Sequence, residues 1–465
     1  MKKSELVFIP APGIGHLVST LEFAKRLIHH DDRLFITILC MKFPLTPYAD
    51  AYTASLVGSQ TRVKLVDLPA VDSPPAELLK SPENYIYVYM ESLIPHVRNA
   101  LTDIVSSHSN SDSTRVAGVV LDFFCVPMID VANELGLPSY MFMTSNPGFL
   151  SLMLYLPTRH NQISSEFDVS DFELTLPAFR NPVPSSVLPW PVFCKDGGYS
   201  AYVKLAQRFS ETKGIIVNSF AELESHSVGP KEETPPIYMV GPVLDFNGQP
   251  HPSLDQNQND RILKWLDEQP HSSVVFLCFG SMGSFGASQL REIASGLERS
   301  GHRFLWSIRV PQPKKLEEIL PEGFLERIGS KGMICNEWAP QVEVLSHDAV
   351  GGFVSHCGWN SILESLWFGV PIATWPIYAE QQLNAFRMVR EFGLAVELRL
   401  DYRNHGNHLV LAEEIEAAVK HLMEGDSEVR RKVKEMSGMA RKAVADGGSS
   451  FAAVGQLIND IIGSN

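Results

Sequence analysis

The segment FVSHCGWNSILES, at residues 353–365, concentrates residues that suit the binding of an anionic ligand. It begins like a buried strand and continues like a helix, so its middle lies at a strand-to-helix turn. A helix N-terminus presents unpaired N–H groups and a partial positive charge, which attract phosphate. Gly358 has no Cβ and allows close approach to the backbone, and His356, Asn360 and Ser361 add side-chain donors. The combination predicts a diphosphate-binding site.

Other interpretations of this segment are open at the level of sequence. Ser361 and Glu364 have the S-x-x-E spacing of a capping box, which would begin the helix for purely structural reasons. His356 and Cys357 are adjacent, and neighbouring side chains of a strand point apart, which argues against a metal pair and against a Cys–His nucleophile. The chain contains no Asp-x-Asp motif of the kind that holds a divalent ion. We therefore expect no metal.

A second pair of candidate residues lies in the N-terminal half. His16 ends the loop PAPGIGH just before a predicted helix, whose N-terminus disfavours the imidazolium form. Asp122 follows the apolar run VAGVVL at 116–121, at the carboxyl end of a predicted strand. A carboxylate there can accept a hydrogen bond from one ring nitrogen while the other takes up a proton. On the sequence alone, structural roles are the more common ones, with His16 as a polar residue at a helix start and Asp122 as a helix cap.

The hydrophobic pattern predicts parallel sheets covered by helices as the elements that hold these residues. The segments 6–27 and 274–301 share one order: an apolar strand, a glycine-containing loop and a helix with apolar residues at helical spacing. A further apolar strand follows each of them. Strands that alternate with helices favour an α/β fold, and two such openings predict two Rossmann-like domains. Further strands are predicted at 116–121, 138–144, 214–219, 332–337, 350–355 and 371–375.

Composition and charge argue against several classes of protein. The 465 residues carry a formal net charge of −14, whereas a nucleic-acid surface needs clustered Lys and Arg. Six scattered cysteines without a CxxC pair predict a reduced, cytoplasmic protein. The first apolar run, about five residues long, is too short for a signal peptide. No window approaches the ~18 apolar residues of a membrane span.

The stretch from Trp338 to Gln381 resembles a known family. It opens with WAPQ, continues through HCGWNS and Glu364 to GVP, and closes with EQ. This pattern closely resembles the signature box of plant family 1 UDP-dependent glycosyltransferases, which act on secondary products. The box is long and specific, and the rest of the chain fits the family through weaker local motifs. The resemblance implies an α/β fold of the GT-B class, in which two Rossmann-like domains with parallel sheets face each other across a cleft.

The pattern and the resemblance together predict four parts of the chain. An N-terminal acceptor-binding domain covers 1–243, a polar, proline-containing linker covers 244–260, and a C-terminal UDP-sugar-binding domain covers 261–446. A final helix in 447–465 is expected to pack back on the N-terminal domain. The motif GIGHLV lacks the third glycine of a dinucleotide fingerprint, which argues against a nicotinamide enzyme.

The resemblance implies donor-binding roles for individual residues. For the nucleoside, Trp338 would stack on uracil, Ala339 would contact it through the backbone, and Gln341 and Glu364 would bind the ribose hydroxyls. The residues implied for the diphosphate are Ser281, His356, Gly358, Asn360 and Ser361. Those implied for the sugar are Trp359, Glu380 and Gln381. Thr144 would contact the phosphate or the sugar from the N-terminal domain.

The implied reaction is sugar transfer with inversion. His16 would be the base and Asp122 its partner, without metal or cofactor. We expect UDP-glucose as the donor, because Gln381 closes the box where relatives that prefer galactose tend to carry His. The aromatic and Met-rich segments YIYVYM (85–90), DFFC (122–125) and NPGFLSLMLYL (146–156) predict a small, hydrophobic, hydroxylated acceptor, a flavonoid or other phenolic ahead of a triterpenoid. We also expect a monomeric enzyme. The alternative is a UDP-sugar epimerase or hydrolase of the same fold.

Overall fold

The computed structural model describes residues 3–43, 61–108, 114–224, 234–246, 256–310, 315–336, 338–403 and 408–463. The chain divides into two compact units. The first unit comprises Met1–Ser185, Trp190–Asp245 and Lys442–Asn465. The second unit comprises Ser186–Pro189 and Phe246–Arg441.

The first unit is built on a parallel sheet with the strand order β3-β2-β1-β4-β5-β6-β7. Its central strands are buried on both faces, which explains their nearly continuous apolar sequences. The strands are β1 (Lys3–Ile9), β2 (Leu34–Cys40), β3 (Val63–Asp67), β4 (Thr114–Asp122), β5 (Ser139–Met143), β6 (Gly214–Val217) and β7 (Ile237–Met239).

The pairing of β1 with β4 positions the first group of candidate residues. The two strands are parallel neighbours, and Ile9 at the end of β1 pairs with Leu121 near the end of β4. The loop that follows β1 and leads to His16 therefore begins at the same sheet edge as Asp122. Ligands of open α/β sheets bind outside this carboxyl edge.

Helices cover this sheet through apolar stripes. The first helix buries Leu17, Leu21, Ala24 and Leu27, whose spacing of three or four residues places them on one face. The helices of this part of the chain are α1 (Ile14–His30), α2 (Pro82–His108), α3 (Ile129–Glu134), α4 (Pro147–Gln162) and α5 (Gly198–Gln207).

The second unit has its own parallel sheet, with the strand order β10-β9-β8-β11-β12-β13. The strand β11 lies between β8 and β12, so the turn that follows it emerges near the middle of the sheet. The strands are β8 (Val274–Cys278), β9 (Arg303–Ile308), β10 (Gly332–Asn336), β11 (Val350–Ser355), β12 (Ile372–Thr374) and β13 (Ala395–Glu397).

Helices of the second unit alternate with these strands, as a parallel sheet requires. They are α6 (Gln256–Asp267), α7 (Ala287–Ser300), α8 (Leu316–Ile319), α9 (Phe324–Ile328), α10 (Gln341–Ser346), α11 (Trp359–Phe368), α12 (Gln381–Phe386), α13 (Ala412–Leu422) and α14 (Glu428–Val444), whose last three residues fall in the first unit.

The last helix, α15 (Ser449–Ile462), belongs to the first unit. Its apolar residues Val454, Leu457 and Ile458 join the core that surrounds β1 and α1. Tyr238 of β7 donates a hydrogen bond to Asp460 at 2.5 Å, which joins the helix to the sheet edge.

The predicted central strands correspond to observed strands, and 350–355 has the observed bounds of β11. The pattern missed β3, β7 and β13, which lie at sheet edges; each is only three to five residues long. The end of the strand predicted at 332–337 falls on residue 337, outside the described residues. Of the linker predicted at 244–260, residues 247–255 also lie outside them, and α6 begins at Gln256.

No helix in the described parts of the chain combines the length and the hydropathy that a bilayer crossing requires.

Candidate active site

His16 and Asp122 form a hydrogen-bonded pair in the first unit. His16 lies in the first turn of α1, and its Nδ1 is 2.8 Å from Oδ2 of Asp122, the last residue of β4. The carboxylate is fully buried, whereas 27% of the imidazole surface is exposed. The other carboxylate oxygen, Oδ1, accepts a hydrogen bond from the backbone N–H of Phe124 at 2.9 Å. Both oxygens of Asp122 are therefore committed as acceptors.

This arrangement fixes the tautomer of His16. Because a carboxylate can only accept hydrogen bonds, Nδ1 of the ring must carry the hydrogen and donate the hydrogen bond to Asp122. In the neutral ring the lone pair then lies on Nε2. The pair is thus arranged to take up a proton at Nε2.

Thr144 belongs to the same cluster. It follows β5 directly, and its Oγ1 lies 3.0 Å from Nδ1 of His16. The expected contact of Thr144 with phosphate or sugar stays a prediction, but its observed neighbour is the imidazole. The hydroxyl provides a second polar contact on the side of the ring that faces Asp122.

Aromatic rings surround the imidazole. The centroids of Phe123 and Phe124 lie 5.5 and 5.7 Å from that of His16. Phe149 of α4 packs edge-on against Phe123 at 5.8 Å, and Tyr202 of α5 continues the row at 5.9 Å from Phe149. Residues from the predicted acceptor segments DFFC and NPGFLSLMLYL therefore form an apolar wall beside His16.

The strand-to-helix junction in the second unit has an unusual backbone conformation. β11 ends at Ser355, and α11 begins at Trp359 with Gly358 as its N-cap. Cys357 between them is left-handed, with φ 63°. A non-glycine residue adopts this conformation at a cost of roughly 1–2 kcal/mol, and such strain is concentrated at functional sites. A second case, Ala379 with φ 54°, directly precedes Glu380.

His356 is buried between two glycines. A Cβ at Gly280 or at Gly358 would lie 2.4 or 2.5 Å from Nε2 of the ring, so neither position tolerates a side chain without displacing the imidazole. Burial lowers the pKa of His356 to about 4, and the positive charge of Arg309 acts in the same direction. The ring is therefore neutral near pH 7. Its Nδ1 is buried and has no hydrogen-bond partner among the described residues.

The structure disfavours both a Cys357 nucleophile and the capping box. Burial raises the pKa of the Cys357 thiol to about 12, so the reactive thiolate is scarce at neutral pH. The helix begins two residues before Ser361, so the interpretation of Ser361 and Glu364 as a capping box is wrong. Among the residues with described positions, no cluster of three or more His, Cys, Asp or Glu side chains could hold a metal ion.

Ser361 and Glu364 instead share a partner. Nε2 of Gln341 donates to Oγ of Ser361 at 2.9 Å and to Oε2 of Glu364 at 2.6 Å. Gln341 is the first residue of α10, and the other two lie one turn apart on α11. The structure thus brings together two of the residues predicted to bind ribose and one predicted to bind the diphosphate.

Trp338 and Ala339 lie just before α10. Ala339 is buried and Trp338 is partly exposed. The carbonyl of Trp338 accepts a hydrogen bond from Nε2 of Gln258 at 2.8 Å. Gln258 belongs to α6, within the range predicted to be a linker, and was not among the predicted site residues.

The remaining predicted donor residues lie on three segments of the second unit. Ser281 is exposed in the loop after β8, Trp359 and Asn360 open α11, and Glu380 is the N-cap of α12. Gln381 is buried, and its Oε1 accepts hydrogen bonds from the N–H groups of Ile377 at 2.9 Å and Tyr378 at 3.0 Å. Its side-chain NH₂ group is the part that can donate to a ligand.

Three further residues of the second unit contact the predicted donor residues or the loops that carry them, and the sequence did not predict them. Asn384 of α12 donates to the carbonyl of Cys357, and Arg309 donates to the carbonyl of Gly283 in the loop that carries Ser281. Gly280, with φ 72°, provides room for His356. Only Gly280 had a local signal, as part of a glycine-containing loop after a strand. The other two act through contacts that the sequence pattern does not encode.

Comparisons with known proteins agree with this architecture. A family model described as UDP-glucoronosyl and UDP-glucosyl transferase matches residues 235–441. UDP-glycosyltransferase 71K2 of Pyrus communis is 58% identical over 482 residues, covering 100% of this chain and 99% of the relative. Flavonol 3-O-glucosyltransferase UGT71C4 of Arabidopsis thaliana is 50% identical over 473 residues, covering 99% of this chain and 98% of the relative.

A solved structure of a plant glycosyltransferase is also similar to this chain. The crystal structure of Medicago truncatula UGT71G1 complexed with UDP-glucose matches with a TM-score of 0.93 and 60% identity, covering 99% of each chain. Two parallel α/β sheets and this likeness define a glycosyltransferase of the GT-B class, as predicted. The chain belongs to the plant family 1 UDP-dependent glycosyltransferases. It is an enzyme that transfers a sugar from a UDP-sugar.

Proposed function

We propose that this enzyme transfers glucose from UDP-glucose to a hydroxyl of a small hydrophobic natural product, with inversion at the anomeric carbon. The acceptor oxygen forms a bond to that carbon while the bond to the UDP oxygen breaks, and its electron pair leaves with UDP. One displacement of this kind converts the α-linked donor into a β-O-glycoside.

The observation that carries the proposal is the 2.8 Å contact between His16 Nδ1 and Asp122 Oδ2. In the proposed reaction Nε2 of His16 accepts the proton of the acceptor hydroxyl, and Asp122 stabilises the imidazolium that forms. Thr144, at 3.0 Å from Nδ1, assists by holding the ring in position. The chemistry needs no nucleophilic Ser or Cys and no covalent intermediate.

The donor is assigned to residues of the second unit. Trp338 and Ala339 would hold the uracil, and Gln341 and Glu364 the ribose. The N-terminus of α11 would stabilise the negative charge of the departing diphosphate without a metal ion. Neutral groups complete that site in this proposal: Ser281, His356, Gly358, Asn360 and Ser361.

Glucose is favoured by the residues assigned to the sugar. Gln381 has both acceptor positions of Oε1 occupied by backbone N–H groups, so it would meet the sugar as a donor. Glu380 supplies the complementary acceptor, and Trp359 would pack against the sugar. The crystal structure of the Medicago relative, which was solved with UDP-glucose, supports this choice of donor.

A phenolic acceptor, such as a flavonoid, is favoured by the aromatic wall beside His16. Phe123, Phe124 and Phe149 offer flat apolar surfaces suited to an aromatic ring. The Arabidopsis relative is named as a flavonol 3-O-glucosyltransferase, which supports the same class. A triterpenoid is the second candidate and forms a separate arm of the test.

Mass spectrometry of the purified enzyme with several UDP-sugars and with phenolic or triterpenoid acceptors tests the proposal. We expect a hexosylated phenol from UDP-glucose, with a β-anomeric coupling in NMR, and a rate lowered about 10²- to 10⁴-fold in His16→Ala. His29→Ala, on the exposed side of α1, is the matched control. Release of UDP at the same rate with and without acceptors would favour a hydrolase. Wild-type turnover in His16→Ala would show that His16 is not the base.

A further inference from the structure

Asn384 is a buried residue of α12 that contacts two parts of the donor site. Its Nδ2 donates to the carbonyl oxygen of Cys357 at 3.0 Å and lies 3.4 Å from Oε1 of Glu380. Its backbone N–H also donates to the carbonyl of Glu380 at 3.0 Å. A single amide group therefore adjoins both the strand-to-helix junction and the carboxylate at the start of α12.

The contact with Cys357 has a consequence for the neighbouring peptide N–H. The carbonyl of Cys357 and the N–H of Gly358 belong to one planar trans peptide unit, so they point in opposite directions. Fixing the carbonyl fixes the direction of the Gly358 N–H at the beginning of α11. The left-handed conformation of Cys357 has a second support, because its own N–H donates to Oγ of Ser355 at 3.1 Å.

The contact with Glu380 concerns the other end of the donor. Glu380 follows the left-handed Ala379 and is the N-cap of α12, but its carboxylate does not cap the backbone N–H groups of that helix. The amide of Asn384, one turn further along, gives the carboxylate a neighbouring donor. The orientation of the carboxylate and that of the Gly358 N–H therefore depend on the same buried side chain.

We propose that Asn384 is a positioning residue that aligns the diphosphate-binding N–H of Gly358 and the sugar-binding carboxylate of Glu380 with each other. The inference rests on the proposed function, which assigns those two ligands. It adds that α12 and the junction before α11 act as one element, so that binding of the diphosphate and of the sugar are coupled through a residue that touches neither.

The test compares Asn384→Ala and the isosteric Asn384→Asp with a matched control on the same helix. Gln382 is also fully buried, and its Nε2 also donates to a backbone carbonyl, that of Tyr402 at 2.8 Å, away from the assigned ligands. Binding of UDP and UDP-glucose is measured by calorimetry without acceptor, and binding of uridine by ligand-detected NMR.

For both Asn384 variants we expect an unchanged dissociation constant for uridine, a rise of about tenfold for UDP, and a larger rise for UDP-glucose. Gln382→Ala should bind all three ligands as the wild type does. Equal weakening of all three ligands in the Asn384 variants would indicate a merely structural role, and wild-type affinities would exclude any role. Either result overturns the proposal.

A Glu380→Ala variant separates this inference from the proposed function. If it binds UDP-glucose as tightly as the wild type, the assignment of Glu380 to the sugar is wrong, whereas the UDP measurement still tests Asn384 through Gly358. If Glu380→Ala weakens UDP-glucose binding and the Asn384 variants do not, the positioning role alone is wrong.

Discussion

Oδ2 of Asp122 lies 2.8 Å from Nδ1 of His16, and Oδ1 of the same carboxylate lies 2.9 Å from the backbone nitrogen of Phe124. Each oxygen accepts one hydrogen bond from a different element. Because both oxygens accept hydrogen bonds, an NH₂ group in place of either oxygen would put a donor where an acceptor is needed.

Asp122→Asn is expected to lower kcat by about 10²- to 10⁴-fold while leaving UDP affinity unchanged. If the Phe124 N–H retains the oxygen, the NH₂ group must face Nδ1 of His16 and donate to it. The proton of the neutral ring then moves to Nε2, which can no longer act as a base. Steady-state kinetics and UDP calorimetry measure the two quantities.

Asp130→Asn is the control for that substitution. Asp130 is exposed and pairs with Arg208 at 2.6 Å, an interaction worth about 1 kcal/mol or less. It should keep wild-type kinetics. Wild-type turnover in Asp122→Asn would show that the carboxylate does not set the tautomer of His16.

Gly358→Ala should weaken UDP binding by about tenfold or more, because its Cβ would lie 2.5 Å from Nε2 of His356 and displace the ring. Gly286→Ala provides a matched control. Both glycines are helix N-caps with ordinary φ values, −60° and −70°, but a Cβ at Gly286 has no neighbour within 4 Å among the described residues. Titration calorimetry should therefore separate the two variants, and equal UDP affinities would contradict the packing argument.

Glu364→Ala should weaken UDP binding by about ten- to a hundredfold with little change in the melting temperature. The reason is that Glu364 is held by Gln341 and does not cap α11. The informative comparison is UDP with 2′-deoxy-UDP. The wild type should prefer UDP, and the variant should lose that preference if Glu364 binds the ribose hydroxyls. Glu435→Ala, on the exposed face of α14, is the control. A lower melting temperature with an intact preference would assign Glu364 to stability instead.

The buried His356 predicts a specific dependence of stability on pH. Its pKa in the folded protein is lowered from the ordinary 6.5 to about 4, so between these values the unfolded chain takes up a proton that the folded chain does not. Above pH 6.5 the burial of His356 does not lower the free energy of unfolding, because the ring is neutral in both states. As the pH falls from 6.5 towards 4, this free energy decreases by on the order of 3 kcal/mol.

Urea unfolding at pH 7 and pH 4.5 measures this effect. The difference in free energy of unfolding between the two pH values should be smaller in His356→Gln than in the wild type. His29→Gln, an exposed substitution on α1, should keep the wild-type difference. The same pH dependence in all three proteins would mean that His356 is not held neutral by burial.

Much of the architecture follows from local patterns. Buried central strands such as β8 and β11 are continuous apolar runs, and parallel strands need intervening helices, so the alternation was visible. Edge strands such as β3 are only partly buried and lack this signal. The sequence leaves the beginning of α11 ambiguous, because Ser361 suits an N-cap equally well. In the structure the N-cap is Gly358, which follows the left-handed Cys357.

The sequence by itself determined that the chain forms two parallel α/β sheets and carries a donor box with a glycine-rich junction. Both depend on residues that are near one another in the chain, where periodicity and turn chemistry act directly. The tertiary structure decided which side chains meet. His16 and Asp122 are 106 residues apart and touch because β1 pairs with β4, and Asn384 reaches Cys357 because α12 packs against the junction before α11. Such contacts depend on strand order and helix packing, which no local pattern records.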